Sequence, residues 1–283
     1  MPGAIDLHTH SSVSDGTESP SELVAAAGRA GLSAVALTDH DSTAGWAEAG
    51  AAAREAGLTV IPGMELSTRF GGKSVHLLGY LFDPADSGLV AETARIRRSR
   101  VDRAEAMAQR IAADYPLRWE DVLRQTGGEG TTVGRPHIAD ALVALGIVAD
   151  RGEAFAGILH PRSGYYVPHY APDPVEGVRL IRAAGGVAVL AHPGTRGAAN
   201  VIPQDALAVL VDAGLFGLEI GHRENTDDGK QRLHQLADAF GLAATGSSDY
   251  HGAGKPNRLG ENTTSPAVLD EIVARGSGSE PLS

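Results

Sequence analysis

Short apolar runs alternate with alanine-rich segments of helical periodicity over most of the chain, a rhythm that reads as successive β/α units. Ala4-Ile5-Asp6-Leu7 has strand character, and Ser19-Pro20-Ser21-Glu22 then shows capping-box spacing with proline at the first helical position. The spacing predicts a helix over 20–30 that stops at Gly31, a strand at Ala34-Val35-Ala36-Leu37, a helix near 44–56 ended by Gly57, and a strand at Leu58-Thr59-Val60-Ile61. The pattern resumes after residue 172 with helix 174–184, strand 187–190, helix 204–213, strand 216–220, helix 228–240 and strand 242–245. A barrel-like α/β fold is the expectation.

Residues 88–172 break the rhythm: a long helix, shorter helical pieces and an aromatic loop follow one another without a clear strand. The expected organisation is a discontinuous barrel over 1–87 and 173–275, interrupted by a helical insertion at 88–172 that caps the barrel mouth. The last residues, 276–283, have the Gly/Ser composition of a linker and are expected to be a disordered tail. At 283 residues and 42% hydrophobic content, the chain can bury the core that such a domain needs.

The absence of cysteine excludes disulfides, thiolate metal sites and cysteine nucleophiles together. Any metal must therefore sit on nitrogen and oxygen. A net charge of −11 argues against broad attraction to nucleic acid or to an anionic membrane, so an anionic substrate needs local positive charge, which bound cations can supply. The N-terminus has neither a basic segment nor a long apolar run, and no stretch approaches a membrane span. The expected location is the cytoplasm, with no membrane and no obligate protein partner.

Chemistry-bearing residues gather at the strand ends. His8-Thr9-His10 follows the first strand, and an isolated His-x-His is more often a surface turn or a satisfied histidine than a metal site. Here it is accompanied by Thr38-Asp39-His40, Gly63-Met64-Glu65, Ala191-His192-Pro193 and Ser248-Asp249-Tyr250-His251. Carboxylates and imidazoles converging on one end of a barrel need partners, because burying unpaired charge is costly, and divalent cations are suitable partners. Mixed imidazole and carboxylate donors suit Mn²⁺, Fe²⁺ or Zn²⁺.

The run Asp6-Leu7-His8-Thr9-His10-Ser11-Ser12-Val13-Ser14-Asp15-Gly16, together with those strand-end motifs, Ala191-His192-Pro193-Gly194 and Ser248-Asp249-Tyr250-His251-Gly252, resembles the PHP (polymerase and histidinol phosphatase) family over nearly the whole chain. The resemblance implies a distorted (β/α)7 barrel with three metal ions. Carried over position by position, His8, His10 and Asp249 would hold one ion, Glu65 would bridge it to a second held by His76 and His192, and Asp15, His40 and His251 would hold the third. His76 lies in Ser74-Val75-His76-Leu77, which could equally hold a packed histidine within a strand. Asp6, Asp39 and Glu219 read either as carboxylates that orient imidazoles or as ordinary polar residues at strand ends. His222, after the strand carrying Glu219, is expected to touch substrate or to protonate the leaving group as a catalytic acid.

Within the family, an insertion containing Gly134-Arg135-Pro136-His137 resembles the group of nucleoside 3',5'-bisphosphate phosphatases and 5'-to-3' RNA exonucleases. That likeness implies a nucleotide or short RNA substrate, attacked in line at phosphorus by a hydroxide between two ions, with Arg135 and His137 binding a second phosphate. Pro136 would also suit a plain helix start. Arg95, Arg97, Arg98, Arg100, Arg103 and Arg110 form a basic run that could guide a nucleic-acid backbone or be a solvated face, and Tyr165 and Tyr166 could stack on a base or pack a small core. The alternatives are a histidinol-phosphate phosphatase, which shares barrel and metals, hydrolysis of C–N bonds, and a noncatalytic binding module, which would be expected to lack ligands.

Overall fold

The computed structural model describes residues 3–283 apart from Glu129, Arg196, Ala198 and Asn200. Seven strands form one sheet in sequence order: β1 (Ala4–Thr9), β2 (Leu32–Leu37), β3 (Thr59–Phe70), β4 (Lys73–Tyr80), β5 (Val187–Leu190), β6 (Leu215–Gly221) and β7 (Ala243–Gly246). The pairs β1–β2–β3 and β5–β6–β7 are parallel, whereas β4 runs antiparallel to both its neighbours. The sheet curls far enough that the segment after β7 meets the end of β1, where the His10 N–H donates to the Tyr250 carbonyl at 2.8 Å.

The sheet is not an exact version of the distorted (β/α)7 barrel that the resemblance implies: β3 and β4 are a hairpin with no helix between them. Gly71 and Gly72 both have positive φ, which the mirror-image turns of tight hairpins require and side chains disfavour. The reversal has a functional result. Because β4 is antiparallel, its early residues lie at the same end of the sheet as the C-terminal ends of the parallel strands, and the Ala191 N–H bonds the His76 carbonyl at 3.0 Å.

Helices α1 (Pro20–Arg29) and α2 (Trp46–Ala56) cover one side of β1–β3, and the Ser19/Glu22 capping box starts α1 as its spacing predicts. Strand alternation divides the core: Val35 and Leu37 pack with Leu23, Ala49 and Ala53 of these helices, while Ala34 and Ala36 pack with Ile5, Leu7, Leu78, Tyr80 and Val189. Helices α7 (Pro174–Ala183), α8 (Gln204–Asp212) and α9 (Asp227–Phe240) extend the outer layer. The last helix, α10 (Pro266–Arg275), adds Ile272 to the second cluster.

Between β4 and α7, four helices build a separate core. The long α3 (Ser87–Ile111) gives Leu89 and Ile96 to the main core and Ala104, Met107, Ala108 and Ile111 to the other, where they meet α4 (Trp119–Leu123), α5 (Arg135–Ala144) and α6 (Arg151–Ala156). Tyr165 and Tyr166 pack against this second core.

The terminal segment does not behave as a linker. Leu282 exchanges two 2.8 Å backbone hydrogen bonds with Val60 and packs against Gly50, while the Gly278 and Ser279 N–H groups donate to the Leu81 carbonyl. A Cβ at Gly276 or Gly278 would collide with Leu81 or Asp83. The glycines that suggest flexibility are those that let the backbone lie this close.

Candidate metal centre

Each strand end delivers its side chains to one place. His8 leaves β1 with both ring nitrogens occupied: Nδ1 lies 3.0 Å from Glu219 Oε1, and Nε2 lies 3.0 Å from His10 Nε2 and 3.3 Å from Glu65 Oε2. Asp249 Oδ1 stands 3.5 Å from His8 Nε2 and 3.3 Å from His10 Nε2. Two imidazole nitrogens and two carboxylate oxygens thus face one point, all four residues being buried.

Glu65 is the hub. Its Oε1 faces His76 Nδ1 at 2.6 Å and His192 Nε2 at 3.1 Å, while its Oε2 faces His8, His10 and His40, the last at 3.2 Å from Nδ1. Beside it, Asp15 lies 3.2 Å from His251 Nε2, 3.6 Å from His10 Nδ1 and 3.8 Å from His40 Nε2. All nine residues expected to bind metal therefore converge. The donor groups close enough to share an ion are His8/His10/Glu65/Asp249, His10/Asp15/His251 and His40/Glu65/His76. His40 so stands between the Asp15 and Glu65 sides rather than with Asp15 and His251 alone.

The electrostatics are those of a cation site. Burial opposes ionisation of Glu65, Asp15 and Asp249, yet the imidazoles around them, with Lys255 beside Asp249, hold all three carboxyls well below their usual range. Burial works against the charged form of His8 and His10, but the facing carboxylates raise His8 well above its usual value and His10 to about 9. Burial drives His40 and His251 down. Buried nitrogens of His40, His251 and His222 have no hydrogen-bond partner, a costly state that a ligated cation would relieve. The donor set fits divalent first-row ions.

Backbone strain concentrates here too: Asp41, His192 and Asp249 have φ of 52°, 32° and 55°. Such conformations cost about 1–3 kcal/mol each and persist where surroundings over-determine them. The His192 N–H donates to Glu219 Oε2 at 2.8 Å, so one carboxylate holds both His8 and His192.

Of the three supporting carboxylates, only Glu219 touches an imidazole. Asp39 accepts from Ser11 N–H and Oγ and from Ser14 Oγ, which lies 3.3 Å from His10 Nδ1, so its grip on His10 is indirect. Asp6 accepts the N–H groups of Ser248 and Gly260, pinning the loop that carries Asp249 and His251.

Two expectations need correction. His222 is fully enclosed and does not line the cavity: its Nδ1 accepts the Glu224 N–H at 3.1 Å, and its Nε2 lies 3.5 Å from Asp249 Oδ2 without a hydrogen bond, on the side of the donor cluster away from a bound leaving group. His137 is 3% exposed, accepts the Gly134 N–H at 3.0 Å and faces the Ser14 carbonyl. Its Nδ1 is taken by the start of α5 and the ring also meets the loop after β1 that carries Asp15, so it ties the helix to that loop.

A cavity of about 760 Å³ opens above the cluster, bounded by His40, His76, His192 and His251 on the sheet side and by Arg100, Arg103, Arg135, Arg151 and Phe155 on the helical side. Lys255 also lines it, with Nζ 2.6 Å from Asp249 Oδ2. The basic run of α3 is not one solvated face: Arg100 and Arg103 are buried towards the cavity, Arg97 bonds the Asp41 carbonyl, and Arg95 stacks on Tyr170. Sequence reasoning did not single out Lys255, Arg151 or His169, and the only signal for Lys255 was its place six residues after Asp249.

Comparison with known proteins agrees with this geometry. A family model described as the PHP domain matches residues 6–113. Over 95% of this chain and 94% of its own length, a 3',5'-nucleoside bisphosphate phosphatase from Chromobacterium violaceum is 34% identical. A 5'-3' exoribonuclease from Haemophilus influenzae is 33% identical over 95% of this chain and 96% of its own. Among solved structures, a protein assigned to the metal-dependent phosphoesterases, from Bifidobacterium adolescentis, is 42% identical over 96% of each chain and superposes with a TM-score of 0.94.

Proposed function

The chain belongs to the PHP family, and from that premise we propose that it is a metal-dependent phosphoesterase that hydrolyses nucleoside 3',5'-bisphosphates, with 5'-phosphorylated short RNA as a further substrate of the same site. The observation that carries this reading is the gathering of nine histidine and carboxylate side chains, Glu65 facing five of the histidines, beneath a cavity whose opposite wall is arginine-rich. The donors belong to a cation centre, and the arginines to a polyanion.

In this reading three ions of Mn²⁺, Fe²⁺ or Zn²⁺ type are held by His8, His10, Asp15, His40, Glu65, His76, His192, Asp249 and His251. When bound, such ions polarise phosphoryl oxygens and acidify water, so that attack at phosphorus proceeds at neutral pH. The protein's own part is to hold the donors still. Glu65 spans the groups with its two oxygens, Glu219 fixes the ring of His8 and the backbone of His192, and Lys255 secures the outer oxygen of Asp249. Outer contacts of this kind are typically worth 10–100-fold in metal affinity. We further assign helices α3–α6 the role of a cap on a distorted barrel, since their arginines close the cavity opposite the histidines. A cavity near 760 Å³ is of nucleotide size.

The test is phosphate release by Mn²⁺-loaded protein from adenosine 3',5'-bisphosphate, compared with the adenosine monophosphates and histidinol phosphate, alongside mononucleotide release from a short 5'-phosphorylated RNA. Preference for the bisphosphate or the RNA is expected. Preference for histidinol phosphate would replace the substrate while keeping the centre, and inactivity of the metal-loaded protein on every phosphoester would overturn the reading.

A further inference from the structure

Asp15 differs from most of the other donors in what holds its backbone. His8, Glu65 and His76 stand on β1, β3 and β4, where strand pairing fixes the chain, whereas Asp15 lies in a turn after β1. The Ser11 carbonyl closes that turn by accepting the Ser14 and Gly16 N–H groups. The carbonyls that follow are met from the helical unit instead. Val13 accepts the Thr132 N–H at 2.9 Å, the His137 ring meets Ser14, and Arg151 Nη1 donates to the Asp15 carbonyl at 3.1 Å. Gly127 comes so close to the Ser12 carbonyl that a Cβ there would collide with it. Of these contacts, only that of Arg151 reaches the residue that carries the donor.

The direction of Arg151 is imposed from within the helical unit. Its Nε and Nη2 form a fork on the two oxygens of Asp140, each at 2.6 Å, which joins α6 to α5 and leaves Nη1 for Asp15. Forked guanidinium–carboxylate pairs fix geometry as well as charge. The arginine side chain is 15% exposed, so this is not a loose surface contact. A Cβ at Gly254 would collide with the same guanidinium, so the loop that follows His251 also lies against it. Asp15 and His251 face each other at 3.2 Å, and the Thr17 N–H donates to the His251 carbonyl. One guanidinium thus abuts both segments that supply the His10/Asp15/His251 donor group. The two groups that share Glu65 are held by other means: Glu219 fixes His8 and His192, and the pairing of β3 with β4 places His76.

We propose that Arg151 is a positioning residue for the ion held by His10, Asp15 and His251, so that the helical unit sets the affinity of that ion while the sheet sets that of the two ions at Glu65. The inference rests on the three-ion reading of the centre. Arg151 acts through the Asp15 backbone and is not itself a ligand. Without it the ion must order the turn on binding, and the entropy lost in that ordering is subtracted from its affinity. Contacts that orient a ligand from behind are typically worth about 10–100-fold in metal affinity.

The test counts bound metal. Metal-free parent, Arg151→Met and Arg151→Lys are dialysed against a series of free Mn²⁺ concentrations, and bound Mn²⁺ is measured by plasma mass spectrometry. The parent should take up three ions per chain. Arg151→Met should keep two of them at parental affinity and bind the third about 10–100-fold more weakly. Arg151→Lys keeps the charge but cannot both fork on Asp140 and reach Asp15, and should fall between the two. On an Asp15→Asn background, Arg151→Met should cost no further metal, as expected of a residue that acts through Asp15. Should Arg151→Met not fold, Asp140→Asn releases the fork while keeping the guanidinium, and the same selective weakening is expected. Equal weakening of all three ions, affinities unchanged from the parent, or a further loss on the Asp15→Asn background would each overturn the proposal while leaving the three-ion reading in place. A parent that binds no divalent cation would overturn both.

Discussion

At the scale of single residues, the site separates into side chains that offer donor atoms to a cation and side chains that hold those that do. Glu65 and Asp249 belong to the first kind, Glu219 and Asp39 to the second, and His137 to neither. His137→Gln is therefore expected to lower stability by about 1–3 kcal/mol, the cost of disturbing a buried hydrogen-bonded group, and to leave KM within a few-fold. Urea unfolding and steady-state kinetics on the same preparation check this, and a large rise in KM without loss of stability would return His137 to the substrate. Several of the candidate donor positions were legible in the sequence as short motifs at strand ends, and the full set, with Asp15 and His76, came only through the resemblance to the PHP family. The roles of His137 and His222 were not, because a motif gives a residue's place in the chain and not what its ring nitrogens meet. Arg103 was hidden differently: a run of arginines at mixed spacing does not say which of them turn inward.

At the scale of elements, the strands and helices followed from period and punctuation wherever strand and helix alternate. The hairpin of β3 and β4 departs from that alternation, and its signal, Gly71-Gly72 between two apolar runs, is short beside the surrounding β/α rhythm. It places His76 next to Glu65 by cross-strand geometry, since Ser67 of β3 pairs with His76 of β4. The terminal segment is the other departure. Leu282 adds a short backbone pairing to β3 and fills the space above Gly50, although Gly/Ser composition alone suggests a linker. Leu282→Ala should destabilise the protein by about 1–3 kcal/mol, the lower part of the range for apolar truncations because the side chain is half-buried. A change below about 0.5 kcal/mol in the urea transition would mean that the segment is not docked in solution.

At the scale of the whole molecule, an acidic chain builds a local reversal of charge. One end of a curled sheet gathers imidazoles and carboxylates around Glu65, a helical unit with its own core brings arginines to the other wall, and no helix of the described residues is long and apolar enough to cross a membrane. The two walls make chemical sense together only if cations occupy one and an anion lies between them. The direct test is the metal content of the purified protein, by plasma mass spectrometry, for the parent chain and for Glu65→Gln, with phosphate release measured on the same samples. The account predicts one ion for each of the three donor groups in the parent, loss of at least one ion in Glu65→Gln, and a fall in turnover on the order of 10³-fold. A parent that hydrolyses phosphoesters at full rate after its metals are stripped, or a Glu65→Gln protein with unchanged metal content and turnover, would contradict it.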